Sequence, residues 1–465
     1  MKVLILGAGR VGGGLAERLA GEGNDVTVVD SNSDLLLTLQ SQNDLRTVHG
    51  SADSIEVLRD AGADASEVLI AVTSTDEVNL VACQLGHRVF SIPQRLARLR
   101  APQWLRVPNL LSDDGFAVSC AISPERSLID YLMRLVDYPG ATQVFDFANG
   151  LMHLVAVKVD AASRLLNHRV RDIQDDPRSR ACRIVAIFRG GQVFIPLENS
   201  VITEHDEVFF IAAIEDAHRV SQLLHHPEKS VARVMIIGGG HVGAGLAEAL
   251  SSRLTPRLIE QDPQRCRDLS VRLNGKAIVV EASGIHEEVL EAEQVDAMDM
   301  VFALTSDDED NIMASMLARR LGAKRSVAIV NRRSYAELIG ESMVDVAVTP
   351  ADITLGAVLQ FIRRADVSVL HSIRSGMAEA LEIVVRPRTL FRGVANKMIG
   401  DIKMPSKSSL VAIVRREGLG PARVLFADPG VRLVEGDHAI VLILDRKVIT
   451  KIESLFGMKS HVLGF

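Results

Sequence analysis

The chain is poor in aromatic side chains, with one tryptophan and three tyrosines in 465 residues. So few rings argue against an aromatic-rich binding surface and for cores built of aliphatic side chains. Cysteine is scarce as well. Cys83, Cys120, Cys182 and Cys266 show no C-x-x-C spacing and no matching histidines, which argues against a zinc cage and a disulfide framework and points to a reducing, cytosolic compartment. Positive charge is not in excess either: a formal net charge of -7 leaves no global basic field to draw nucleic acid or anionic lipid. Long apolar runs are missing too. Val3 to Leu6 stops at a glycine, and "AIVLIL" at 439–444 has the length of a strand, so nothing is expected to insert in a bilayer, although a membrane partner stays open.

What is present is aliphatic sequence that repeats. Hydrophobic residues make up 47% and charged residues 24%, a globular composition, and the length is about three times the ~150 residues of one domain. "VLILGAGRVGGGLAERL" near the start returns as "VMIIGGGHVGAGLAEAL" from Val234, Asp30 of "VTVVD" as Glu260 of "PRLIE", and "AVTSTDEVNLVAC" as "ALTSDDEDNIMAS". The offsets are 231, 230 and 232, and "EHDEVFFIA" meets "EGDHAIVLI" at 231, so the chain holds two copies of one two-part unit. Each front part alternates short apolar strands with helical stretches, which predicts βαβ units and a doubly wound parallel sheet. Each rear part is β-rich and predicts a small α+β domain. The expected limits are 1–140, 141–228, 229–375 and 376–465, with a long helix beginning "SPERSLID" or "PADITLGA" after each front part.

The glycine motif has the setting that a dinucleotide loop needs: a strand before, a helix after, and an acidic residue at the end of the next strand. In the first copy Gly7, Ala8, Gly9, Arg10, Val11 and Gly12 are followed eighteen residues later by Asp30; in the second, Gly238, Gly239, Gly240, His241, Val242 and Gly243 are followed seventeen later by Glu260. Gly7 permits the tight turn, Gly9 the approach of backbone N–H groups to a pyrophosphate, and Gly12 the packing of helix on strand, while the helix N-terminus favours an anion. A carboxylate at the ribose position repels a 2′-phosphate, which favours NAD-type or adenosine ligands over NADP. Thr73 and Ser74, with Thr305 and Ser306, follow apolar strands and stand at the ligand edge of the sheet or serve as helix caps. Arg98 and Arg100 come one strand later, Arg98 as a phosphate contact or the pair as a solvated basic edge.

Hydride transfer requires a proton-moving group beside the nicotinamide. Tyr131, Tyr138 and Tyr335 form no Tyr-x-x-x-Lys, His153, His168 and His205 fall in the rear part, and His225 and His226 adjoin Pro227 in a linker. The repeat also favours a device with two ligand sites over an enzyme. An NAD-dependent oxidoreductase with a duplicated nucleotide fold is the alternative, and hydride transfer abolished by Asp30→Ala would reveal it.

With "LGAGRVGGGLAERL", "NDVTVVD", the doubled TS-D-E-x-N run and "EGDHAIVLILDRKVITKIESLF", the chain resembles the RCK/KTN regulator family over essentially its full length. The resemblance implies a cytoplasmic regulatory subunit at the inner face of the cell membrane, a homotetramer. It would gate a potassium-translocating integral membrane protein, TrkH/TrkG-like, in response to NAD(H) or ATP/ADP. It also implies a first site of Gly7–Gly12, Asp30, Thr73, Ser74 and Arg98 and a second of Gly238–Gly243, Glu260, Thr305 and Ser306, with no catalytic residue and no metal. The chain departs from the family where a "GDxT"-like turn is usual: it reads "GSAD" at 50–53 and "ASGI" at 282–285, so the turn's acidic group is expected to be lost. Ile329 falls where Arg98 stands in the first copy, with Arg332 and Arg333 offset, so the second site is expected to prefer another ligand or none.

Overall fold

The computed structural model describes residues 1–21, 23–101, 103–176, 181–224, 230–332, 335, 339, 344–362, 367–373, 377–387, 393–416 and 422–457. Its first sheet is built from short apolar strands: β1 (Lys2–Leu6), β2 (Asp25–Asp30), β3 (Arg46–His49), β4 (Val68–Ala71), β5 (Gln94–Arg98) and β6 (Cys120–Ile122). All pairs are parallel, in the order β3-β2-β1-β4-β5-β6. β1 and β4 are buried on both faces, as strands covered by helices on each side must be. The helices that follow β1, β2 and β4 are α1 (Arg10–Gly21), α2 (Ser33–Gln42) and α3 (Asp76–Arg88). Strand order reverses between β1 and β4, which opens a crevice at their carboxyl ends, where doubly wound folds hold ligands.

A long helix, α4 (Pro124–Asp137), leaves β6 and leads to the first antiparallel sheet. Its strands β7 (Ala141–Phe147), β8 (Met152–Lys158), β9 (Cys182–Arg189), β10 (Gln192–Phe194) and β11 (Glu207–Ala213) run in the order β10-β9-β11-β8-β7. Gly190 and Gly191, both at positive φ, make the two-residue turn between β9 and β10. The second copy repeats the parallel sheet as β12 (Val234–Ile237), β13 (Arg257–Glu260), β14 (Ile278–Glu281), β15 (Met300–Ala303), β16 (Ser326–Ile329) and β17 (Val346–Val348), in the order β14-β13-β12-β15-β16-β17. Its longer helices are α5 (His241–Leu250), α6 (Pro263–Leu273), α7 (Asp308–Arg320) and α8 (Pro350–Ile362). The second antiparallel sheet comprises β18 (Val367–Ile373), β19 (Ala378–Val384), β20 (Ser408–Arg415), β21 (Arg423–Phe426) and β22 (His438–Ile443). It reproduces the first in the order β18-β19-β22-β20-β21.

The last of the expected limits shifts. Residue 375 falls after β18, yet β18 is hydrogen-bonded to β19 from Val367 onward, so the second rear sheet begins earlier. Nothing in the sequence "RRAD" between α8 and β18 marks the change, because it holds neither glycine nor proline. The expected limit at 228, with His225 and His226, lies outside the described residues.

The chain separates into two compact units, one of which joins Met1–Ser127 to Pro350–Ile362. In it α8, from the second copy, lies against α1 and β6 of the first. The other unit contains Leu128–Thr349, and here α4 reaches the second copy's helix layer. A Cβ added at Gly245 of α5 would lie 2.4 Å from Ile129, and Asp137 pairs with Arg253. Each long helix therefore packs on the nucleotide fold of the other copy. The same unit also holds both antiparallel sheets around one core, in which Phe147, Leu154, Phe209 and Ile211 meet Ile373, Ala380, Val411 and Leu442.

Candidate functional site

The first crevice is shaped by two close approaches of backbone. Gly7 turns the chain at φ +106° and donates its N–H to Val29 O at 2.7 Å. At Gly12 an added Cβ would lie 1.8 Å from Gly7 O, so only glycine lets α1 start this near the end of β1. Gly7 and Ala8 are buried, Val11 is half-buried, and Gly9 and Arg10 are exposed at the N-terminus of α1. Backbone N–H groups and the helix dipole there make an anion-binding end.

Asp30 is held in place by the loop it faces. Its Oδ2 accepts the Ala8 N–H at 2.5 Å and its Oδ1 the Asn32 N–H at 2.7 Å. Thr73 does not cap α3; Thr75 occupies the cap position. Instead the Thr73 N–H and hydroxyl both donate to Asn79 Oδ1, at 2.9 and 2.8 Å, and Asn79 Nδ2 donates to Arg98 O at 2.9 Å. Ser74 is exposed on the rim. Asp76, buried one helical turn earlier, accepts the N–H groups of Arg100 and Ala101. The Arg98 guanidinium lies 2.8 Å from Glu125 Oε1 in the first turn of α4, with both side chains largely buried. Arg100 Nε is 3.6 Å from the same oxygen. The turn after β3 does carry a carboxylate, Asp53, which accepts the Ser51 hydroxyl.

The second crevice repeats the frame. Gly238 turns at φ +101° and donates to Ile259 O, and a Cβ at Gly243 would lie 1.9 Å from Gly238 O. Glu260 accepts the N–H groups of Gly239 at 2.7 Å and Asp262 at 2.9 Å. Gly240 and His241 are exposed and Val242 is half-buried. Thr305 donates to Asn311 through N–H and hydroxyl, each at 2.8 Å, Asn311 Nδ2 donates to Ile329 O at 3.0 Å, and Ser306 is exposed. Because Asn79 and Asn311 end on Arg98 and Ile329, the apolar Ile329 holds the Arg98 position. Arg332 is paired with Glu309 at 2.9 Å and lies over the Tyr335 ring; Arg333 lies outside the described residues.

Sequence reasoning missed the second line of the site: Asp76 and Asn79, Asp308 and Asn311, and Glu125. The first four stood in the repeated D-E-x-N run and were legible there. Glu125 carried no such signal, since the second copy has Ala351 at the matching place.

The TrkA-N domain model matches residues 3–108 and again 234–350, and the TrkA-C domain model matches residues 154–225. The Trk system potassium uptake protein TrkA of Halomonas elongata is 40% identical over 456 residues, covering 98% of each chain. That of Vibrio alginolyticus is 40% identical over 457 residues, with the same coverage. A homolog from Archaeoglobus fulgidus is 30% identical over 459 residues, 98% of this chain and 100% of its own. Among solved structures the GsuK RCK domain superposes with a TM-score of 0.61 at 19% identity, over 98% of this chain and 95% of that one. The GsuK channel bound to NAD gives 0.61 at 18% identity, over 98% and 79%. At that identity the two structures speak for the fold.

Proposed function

The chain belongs to the TrkA family, and from this premise we propose that it is a nucleotide-binding regulatory subunit of potassium uptake rather than an enzyme. In this reading it sits in the cytoplasm at the inner membrane face. There, as a homotetramer, it gates a potassium-translocating integral membrane protein, TrkH/TrkG-like, in response to NAD(H) or to ATP and ADP. The ligand sites are Gly7–Gly12, Asp30, Thr73, Ser74 and Arg98 in the first copy, and Gly238–Gly243, Glu260, Thr305 and Ser306 in the second. The chain divides into nucleotide fold, rear domain, nucleotide fold, rear domain, with the last break placed ahead of β18.

One observation carries the reading: two crevices, each with a glycine loop hydrogen-bonded to its own ribose-side carboxylate, in a chain whose long helices exchange between the copies. A ligand shifts an equilibrium only by binding one state more tightly than the other, and a swing between extremes takes about 5.5 kcal/mol. Several such crevices in a ring would add their contributions. The relatives' name as potassium-uptake proteins supports the partner, and a neighbour solved with NAD supports the ligand class. Among the described residues no helix is long and apolar enough to cross a membrane, so the transport path belongs to the partner in this reading.

The test is potassium flux through vesicles holding the membrane partner, with this protein added and NADH, NAD, ATP or ADP supplied in turn. Flux that responds to the protein and changes with at least one nucleotide is expected. Flux indifferent to all four would sink the proposal.

A further inference from the structure

The two crevices share a frame but differ in charge, and their hydrogen bonds pair them residue by residue. Asn79 and Asn311 pair Arg98 with Ile329 through their bonds to those carbonyls. Asp76 and Asp308 pair Arg100 with Asn331 through the N–H groups they accept. The loop helix opens with Arg10 in one copy and His241 in the other. Leu35 and Arg265 correspond as well, since each donates its N–H to the Oδ1 of the cap three residues before, Asn32 or Asp262, at 3.3 and 3.0 Å. Three guanidinium positions toward the phosphate end of the first crevice are thus an imidazole, an alkyl group and an amide in the second. The guanidinium gained stands at the other end. Arg265 Nε donates to Gly239 O at 2.9 Å, on the residue whose N–H holds Glu260.

Resting on the nucleotide reading above, we propose that the second crevice takes an adenosine ligand with no more than one phosphate, of the AMP class, and that Arg265 is its specificity residue. The first crevice, with Arg10, Arg98 and Arg100, is the place for a dinucleotide or a polyphosphate. The N-terminus of α5 presents roughly half an elementary charge, which suits one phosphate and, among the described residues, leaves a longer chain of phosphates with less counter-charge than the three arginines of the first crevice supply. Arg332, next along the chain from Asn331, is engaged by Glu309 and Tyr335, as Arg98 is by Glu125 in the first crevice. Glu260 accepts ribose hydroxyls and repels a 2′-phosphate, so a phosphate at that end is disfavoured. A planar guanidinium anchored beside the ribose carboxylate can lie on the purine face, where a cation is attracted by the ring. The corresponding Leu35 carries no charge and no hydrogen-bonding group on its side chain.

The experiment is calorimetry on the full chain, with AMP titrated in the presence of saturating ATP or NADH. AMP should still bind at a separate site, and Arg265→Leu should weaken it about tenfold, the scale of a lost cation–π contact, while leaving the other nucleotide's isotherm unchanged. The double variant His241→Arg, Asn331→Arg, which keeps the Asn331 backbone bond to Asp308 and gives up its side-chain bond, should admit ATP to the second crevice, raising its stoichiometry. ATP filling both crevices of the unaltered chain, or AMP binding indifferent to Arg265→Leu, overturns the assignment. Loss of all nucleotide binding in the unaltered chain would instead overturn the proposed function beneath it.

Discussion

The two carboxylates bonded to the glycine loops show how one side-chain length sets its neighbour. Asp30 is short, and Ala8 fits beneath it; Glu260 is one methylene longer, and Gly239 stands in the alanine's place. A Cβ added at Gly239 would lie 2.5 Å from Leu269 and 2.9 Å from Glu260 Oε2. Gly239→Ala is therefore expected to cost about 1–3 kcal/mol through overpacking, read as a lowered urea midpoint. Adding Glu260→Asp should restore the part due to Glu260, since the shorter acid recreates the Ala8–Asp30 pair, while the closer Leu269 contact remains. A double variant no more stable than the single one would refute this coupling. The glycines themselves were plain in the sequence. The reason for Gly239 was not, because it depends on where the Glu260 side chain ends.

Between elements, the salient contact is Arg98 at the end of β5 with Glu125 in the first turn of α4. Arg98 Nε and Glu125 Oε2 are buried with no hydrogen-bond partner, so each group is only partly satisfied by the other. An anionic ligand at the crevice edge competes with Glu125 for the guanidinium. Glu125→Gln should consequently tighten binding of an anionic nucleotide several-fold, as expected when one charge-assisted bond is weakened, and calorimetry would register it. Unchanged or weaker affinity would place Arg98 outside the ligand's reach. The strands and helices that position this pair were legible from apolar runs and the glycine loop. β3, "RTVH", left no such signal, because only one of its four residues is aliphatic.

At the scale of the molecule, the antiparallel sheets and the joint between them contain titrating groups. His371 of β18 stacks on Phe145, meets Phe147 edge-on and bonds through Nε2 to Asp146 O at 2.8 Å. His153 Nδ1 lies 2.8 Å from the Tyr138 hydroxyl. Burial, above all, holds both imidazoles below their ordinary range. The unfolded chain then takes up protons near pH 6.5 before the folded sites do, so stability is full above that pH and falls as pH drops through it. His438 behaves oppositely: its bond to Glu382 at 2.6 Å raises it. That contribution is full below about pH 6.5 and is lost as pH rises through the raised folded value. Urea titrations across pH should show the acid-side loss flattened by His371→Phe and the alkaline-side loss flattened by His438→Gln. Unaltered slopes in both variants would remove these histidines from the account.

The duplication, the order of strands and helices, and the residues of both glycine loops follow from the sequence alone, because periodicity, turn residues and a repeated offset are local signals. Which sheet each long helix packs on, the joining of two rear sheets into one core, and the Arg98–Glu125 and Arg265–Gly239 contacts needed the tertiary structure. Those depend on long-range packing and on where side chains end, and residues distant along the chain leave no local pattern of that.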